Sequence, residues 1–394
     1  MRATERVQAS DGRASDLADE MMTVAHDYFT QLGGAERVAV AIVEGLRPER
    51  VVAAMHDPRR TFALPAGVVV ETSFLQRIAA FRADPRRALP LLALAWRSVA
   101  PITRGVVVCS SSGWSHGVPT SARVVKVVYC HNPALWLYQP EDYLRGRASA
   151  LRGVLAVLHR PLVRWDRAAA RSADAYIANS HSVAERIREA YGIEASIVHP
   201  PVSIDAAGEQ QPVTAVGAEP FFLSVGRGRG YKNMDLLIRA FAATPMARLV
   251  TVGADIPGPP PNVTVLPRVS DAEMRWLYAN STALISMSHE DFGLTPIEAN
   301  AFGTPVLVLR AGGFLDSVSE GVTGLYVDEE SPEAVAAAVR AFPSDWNGDA
   351  IRAHAAGFAP EVFTDKIRAV VDEAVGRRRT EAGLGAGPQK VDAV

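Results

Sequence analysis

Short apolar runs alternate with longer amphipathic stretches along most of the chain. MMTVAHD, VVAAM, GVVVCS, VVKVVYC and AYIANS read as strands, whereas AERVAVAIVEGL, a segment near 143–172 and SVAERIREAYG carry the three- and four-residue spacing of helices. Strand and helix in this order call for right-handed crossovers, which lay parallel strands into one sheet with helices on both faces. Residues 206–220, AAGEQQPVTAVGAEP, are small, polar and Pro-containing without a period, and read as a linker. The alternation then restarts with FFLSVGR, LLIRAFAAT, ARLVTVGA, VTVLPRV, AEMRWLYANS, ALISMS, PIEANAFG, TPVLVLR and SPEAVAAAVRAF. The pattern predicts an α/β protein of two Rossmann-like, doubly wound parallel-sheet domains, 21–205 and 221–360, facing each other across a cleft. In such sheets ligands sit at the carboxyl ends of the strands, so function is expected between the domains. A last helix over 361–376 is expected to cross back to the first domain, and residues 1–20 and 377–394, which lack periodicity, read as disordered tails.

Composition narrows the partners. Residues 1–205 hold 25 Lys and Arg against 20 Asp and Glu, a net of +5, while 206–394 hold 16 against 23, a net of −7. An anionic acceptor or membrane surface suits the first half better than the second. Neither half is basic enough for nucleic acid, and no nucleic-acid motif occurs. Cys109 and Cys130 are the only cysteines, which gives no disulfide framework and suits a reducing, cytoplasmic setting. The N-terminus lacks an apolar signal core, and LPLLALAW is too short to span a bilayer, so neither secretion nor membrane insertion is expected.

The densest chemistry is in HEDFGLTPIEANAFGTPV, just after the strand ALISMS. Glu290 follows that strand, Gly293, Leu294 and Thr295 lead into a helix with Pro296 in its first turn, and Glu298 lies one turn on. Backbone N–H groups at such a helix start, approached through a Gly, suit a diphosphate, and the two carboxylates suit hydroxyls at either end of a sugar nucleotide. Without a ligand, Glu298 reads equally well as a carboxylate at the positive end of a capped helix. In SVGRGRGYKN a strand runs into a Gly-rich turn with Arg227 and Lys232, a pair able to neutralise a leaving diphosphate. Gly226, Gly228 and Gly230 imitate a dinucleotide fingerprint but fall one position short of GxGxxG. Gly33 and Gly34 open the first helix and let its N-terminus approach a phosphate, and His131 ends another strand where an imidazole can donate to a sugar. Asn179, Ser180, Ser182 and Glu185 read as a strand end and a helix capping box, and Trp276 and Tyr278 as core or helix face.

These motifs stand together in a known order. EDFGLTPIE has the Glu, seven residues, Glu spacing of the retaining glycosyltransferase family 4, and VAHDYFTQLGGAERV, YCHNPALWLY, ANSHSVAERI with HPPVSID, and SVGRGRGYKNMDLLIRAF resemble that family's other landmarks. The resemblance covers about residues 22–375, is most similar to a bacterial branch of mannosyltransferase-like enzymes that build surface polysaccharides, and implies the GT-B fold. It implies that Arg227 and Lys232 stabilise the leaving diphosphate, that His131 and Glu290 touch the donor sugar, and that His26 and Asp27 touch the acceptor. Val269 and Ser270, beside Arg268, would hold the nucleobase through the backbone. The implied donor is GDP-mannose or, next, a UDP-sugar, and the acceptor a glycan or lipid-linked glycan. No DxD triplet and no His and Cys cluster occurs, so no metal or cofactor is expected. An epimerase of the same fold and a binder without turnover are the rival readings.

On the acceptor side, Phe74, Leu75, Ile78, Phe81 and Trp96 are interleaved with Arg77, Arg82, Arg86 and Arg87, and residues 142–172 hold seven Arg against Asp142 and Asp166. Such segments either lie on the anionic inner face of the plasma membrane or pack their apolar faces inward with Arg in water.

Overall fold

The computed structural model describes residues 21–139, 149–226, 233–381 and residue 383. The first domain is built on seven parallel strands in the order β3-β2-β1-β4-β5-β6-β7. They are β1 (Met22–His26), β2 (Arg50–Ala53), β3 (Val69–Thr72), β4 (Val106–Ser111), β5 (Val125–Cys130), β6 (Ala175–Ala178) and β7 (Ser196–Ile197). All six residues of β4 and of β5 are buried, as expected of strands covered on both faces. The second domain has β8 (Phe222–Val225), β9 (Leu249–Val252), β10 (Val263–Leu266), β11 (Ala283–Ser286), β12 (Val306–Leu309) and β13 (Gly324–Val327), parallel in the order β10-β9-β8-β11-β12-β13. In each sheet the strand order reverses beside the first strand, between β1 and β4 and between β8 and β11, and these are the crevices where a doubly wound sheet binds ligands.

The C-terminal helix, Pro360–Glu381, packs on the first domain. Phe363, Ile367, Val371, Ala374 and Val375 enter the same core layer as Val24, Val51 and Val127. It runs past residue 376, where the apolar pattern fades, because Asp174 receives Arg378 Nε and its carbonyl receives Arg377. Residues 377–381 are thus helix rather than tail. The 206–220 segment is not free either: Val213 and Val216 are buried beside Phe221 and Tyr278, and Gln211 N–H donates to Ala272 O at 3.0 Å. Two valines in a small-residue stretch suffice to dock it on the second domain.

The Arg-rich segment after β3 forms short helices whose Leu75, Leu89, Leu92 and Trp96 are core residues. Its apolar face therefore points mainly inward, and the exposed remainder includes Phe74, Ile78 and Leu94. The helix within 143–172 spans Ser149–Ala170, with Leu155 and Leu162 buried and Val157 exposed, while 142–148 lie outside the described residues. No helix among the described residues is long and apolar enough to cross a membrane.

Candidate functional site

The loop after β5 and the start of the helix after β6 meet the loop after β11. Asn132 Nδ2 donates to Asp291 Oδ1 at 2.6 Å, Arg186 Nη1 to the same oxygen at 2.5 Å, and Ser180 Oγ to Asp291 O. His181 Nδ1 pairs with the buried Asp316 nearby. These contacts fix the two domains face to face beside Glu290, the residue before Asp291.

Three of the longer helices start at this junction without a side-chain cap. The helices Gly34–Leu46 after β1, Met234–Ala242 after β8 and Leu294–Ala301 after β11 begin at Gly33, Asn233 and Gly293, none of which caps through its side chain. By contrast Ser180, Ser270, Ser331 and Asn347 cap their helices by accepting a backbone N–H. An uncapped start leaves orphan N–H donors and the positive end of the helix dipole for an incoming anion. Among the helices of eight or more residues whose caps are described, those after β1, β8 and β11 are thus the ones open to an anion. The shorter helices starting at Ile78, Leu91, Ala134 and Gly313 are also uncapped by a side chain. The first and third face each other across the cleft, since a Cβ on Gly34 would lie 3.5 Å from Leu294 Cδ1. Gly293 has φ +86°, and a Cβ there would lie 2.5 Å from the Phe314 ring, so only Gly serves this turn.

Glu298, the fifth residue of its helix, is buried, and both carboxylate oxygens are engaged. Oε1 accepts from Ser203 Oγ at 2.8 Å and from Arg37 Nη1 at 3.4 Å, and Oε2 accepts from Tyr278 OH at 2.8 Å. Burial and the adjacent carboxylate push the Tyr278 phenol well above its ordinary pKa, so it remains a donor. Glu290 lies at the other end of the motif, where Ser288 Oγ donates to Oε1 at 2.8 Å and Gly313 N–H donates to its carbonyl at 2.9 Å. Leu294 and Thr295, partly exposed, are the first two residues of the helix between these carboxylates.

At the switch point of the first sheet His26 and His131 converge on Ser110, whose Oγ lies 3.0 Å from His26 Nδ1 and 2.7 Å from His131 Nε2. Burial lowers the pKa of His26 to about 4 and that of His131 to about 3, the latter helped by His26 itself. Both rings are neutral at physiological pH. Asp27 is also buried, and its oxygens accept from the backbone N–H of Ser112 at 2.6 Å and Ser115 at 2.7 Å. The structure thus gives Asp27 to the loop after β4, and burial raises its pKa despite those bonds.

Val269 and Ser270 follow β10, two strands from the β8–β11 crevice. Ser270 Oγ accepts from Glu273 N–H at 3.2 Å and its own N–H donates to Glu273 Oε2 at 2.7 Å. That reciprocal pair is a capping box and takes up the Ser270 N–H expected for a base. The box expected at Ser182 and Glu185 does not form: Ser180 caps alone and Glu185 pairs with Arg188 at 3.3 Å. Arg227 and Lys232 lie outside the described residues. Their flanks are placed, with Gly226 N–H donating to Val252 O at 2.9 Å and Asn233 Nδ2 to Met287 O at 2.7 Å.

Arg37, Ser203 and Tyr278 were missed as site residues. Arg37 falls in the first turn after Gly33 and Gly34, a signal that the motif GGAER already offered, whereas Ser203 and Tyr278 reach Glu298 only through the tertiary fold. Among the described residues no three His, Cys, Asp or Glu stand together as metal ligands.

Comparison with known proteins places this geometry. Residues 32–206 match the family model described as Glycosyltransferase Family 4, and residues 208–356 match Glycosyl transferases group 1. The D-inositol 3-phosphate glycosyltransferase of Mycobacterium marinum (strain ATCC BAA-535 / M) is 31% identical over 245 residues, 52% of this chain and 53% of that one. Its counterpart in Mycobacterium avium (strain 104) is 32% identical over 249 residues, 54% and 58% of the two chains. The matched region thus spans about half the length of these curated relatives. Among solved structures, sucrose-phosphate synthase from Thermosynechococcus elongatus superposes with a TM-score of 0.68 at 18% identity, covering 91% of this chain and all of the other. HepE of Anabaena, in complex with UDP-glucose, superposes at 0.60 and 17% identity, covering 90% of this chain and 100% of its own. Both share the two-domain fold.

Proposed function

With the chain a family-4-like glycosyltransferase of the GT-B fold, we propose that it moves a hexose from a nucleotide diphosphate sugar to a hydroxyl of a glycan or lipid-linked glycan, with retention of configuration and without a metal. The observation that carries this reading is the set of side-chain-uncapped helix starts after β1, β8 and β11, converging on one cleft flanked by Glu290 and Glu298. In this reading the N–H groups at Gly33, Gly34 and Gly293 to Thr295 hold the diphosphate, assisted by Arg227 and Lys232. Glu298 bonds the ribose, Glu290 and His131 the sugar, and the loop of Val269 and Ser270 the base. As the C1–O bond to the diphosphate breaks, the acceptor oxygen bonds C1 from the same face, and its proton passes to the departing phosphate oxygen.

GDP-mannose remains the first donor by resemblance, and the UDP-glucose bound by HepE of similar fold supports a UDP-sugar. The names of the curated relatives add D-inositol 3-phosphate to the acceptors worth testing. A peripheral contact with an anionic membrane is proposed through Ile78, Leu94 and Val157 together with nearby Arg side chains, all of these apolar residues being exposed. Following release of free nucleotide from a panel of nucleotide sugars, with and without lipid extract or inositol phosphate, tests the reading.

A further inference from the structure

Ser110 sits between two histidines from neighbouring strands. It is paired with His26 in the β1–β4 register and with Tyr129 in the β4–β5 register, and His131 is the second residue after Tyr129. Its Oγ is 3.0 Å from His26 Nδ1 and 2.7 Å from His131 Nε2, and its carbonyl oxygen is 3.0 Å from the same His26 Nδ1. Ser110 is 0%, His26 1% and His131 6% exposed, so water offers these atoms little competition. The His131 backbone is held from both sides, its N–H donating to Ser111 O at 2.8 Å and its carbonyl accepting from Asn179 Nδ2 at 3.1 Å.

Chemistry assigns the hydrogens. A carbonyl oxygen only accepts, so His26 Nδ1 carries the hydrogen of that neutral ring. The hydrogen is shared with Ser110 Oγ, which accepts it and keeps its own hydrogen for the one remaining neighbour, His131 Nε2. His131 Nε2 therefore accepts, and the hydrogen of the second ring is on Nδ1. Desolvation keeps both rings neutral throughout the range where enzymes work.

We infer that Ser110, backed by His26, is a positioning residue that fixes His131 as the neutral Nδ1–H tautomer, so that His131 meets its substrate as a hydrogen-bond donor and not as a base. The inference rests on the reading of His131 as a contact to the donor sugar. A donor at that point recognises an oxygen lone pair, such as a sugar hydroxyl. It also leaves the acceptor proton to the departing phosphate, since a ring whose Nε2 is occupied and whose Nδ1 is protonated has no free lone pair.

The test is the tautomer itself, read from two-bond ¹H–¹⁵N spectra of histidine-labelled full-length protein without ligand, for wild type, Ser110→Ala and Ser110→Thr. Wild type and Ser110→Thr are expected to show His131 as Nδ1–H, unchanged between pH 5.5 and 8, and Ser110→Ala is expected to shift toward Nε2–H. In turnover, Ser110→Ala should lower kcat ~10-fold with a KM for nucleotide sugar within about twofold of wild type, and Ser110→Thr should restore most of the loss. An Nε2–H signal for wild-type His131, or an Nδ1–H signal that persists in Ser110→Ala, overturns the inference. If Ser110→Ala does not fold, the wild-type spectrum decides alone. Because the spectra need no turnover, a protein with the expected tautomer that transfers no sugar contradicts the proposed function and not the role of Ser110.

Discussion

Arg37 and Glu298 come from different domains, 261 positions apart, yet the Arg37 Nη1 lies 3.4 Å from Glu298 Oε1, with Ser203 Oγ bonded to both. The carboxylate read as the ribose contact is therefore already ordered by the facing domain, and a ribose hydroxyl has to join or displace that network.

The groups around Glu298 should differ in weight. Tyr278→Phe strips a buried, charge-assisted hydrogen bond and should cost about 1.5–3 kcal/mol in urea unfolding. Arg37→Ala should cost about 1 kcal/mol or less, because the Arg37 side chain is 38% exposed and solvent screens the pair. An Arg37 variant less stable than the Tyr278 variant would reverse this order.

The two carboxylates of the motif should separate by function. Glu298→Gln should weaken binding of a nucleoside diphosphate, by calorimetry, roughly ten- to a hundredfold, while Glu290→Gln should leave it near wild type and lower kcat instead. The ligand carries no sugar, so equal losses in both variants would contradict the assignment of Glu290 to the sugar.

Fold and site were legible to different depths. The parallel sheets and their crossovers followed from runs such as VVVCSS and VKVVYC, because a strand buried on both faces has to be continuously apolar, whereas the less buried edge strands β3, β7 and β13 carry no such signature. The Glu290 to Glu298 spacing marked the helix start between them. Hidden were the contacts made by distant segments: Ser203 and Tyr278 are ordinary residues until the fold brings both to Glu298, and nothing local shows that Asp27 accepts from the backbone of Ser112 and Ser115. The capping box at Ser270 and Glu273 was present in the sequence as SDAE and was passed over for the nucleobase expected at that loop.

Acid should destabilise the protein before its carboxylates titrate. His26 and His131 have folded pKa values near 4 and 3, below the ordinary 6.5, because burial disfavours the charged ring. Between 6.5 and those values the unfolded chain binds protons that the folded one refuses, so stability is full above 6.5 and falls as pH drops through that window. Asp27, raised by burial, works the opposite way. Urea unfolding at pH 7, 6 and 5 should show the decline, and His26→Gln should flatten it by up to about 1 kcal/mol per pH unit. A slope identical in wild type and variant would mean that His26 is not held neutral.

Chelation should leave turnover intact. The chain has no DxD triplet, and the charge on a leaving diphosphate is assigned to Arg227, Lys232 and the uncapped helix starts. Activity lost in EDTA and recovered with Mn²⁺ or Mg²⁺ would contradict that assignment, and near-normal turnover in both Arg227→Ala and Lys232→Ala would remove those side chains from it.

The most direct measurement is the time course of free nucleoside diphosphate from GDP-mannose and from UDP-sugars, with acceptor extract present or omitted, for wild type and Glu290→Gln. One donor should be consumed by the wild type, faster with acceptor, its sugar appearing in a larger product, and Glu290→Gln should slow this by ~10-fold or more. Nucleotide sugars that bind but are never cleaved, or that are isomerised with no net nucleotide released, would contradict glycosyl transfer.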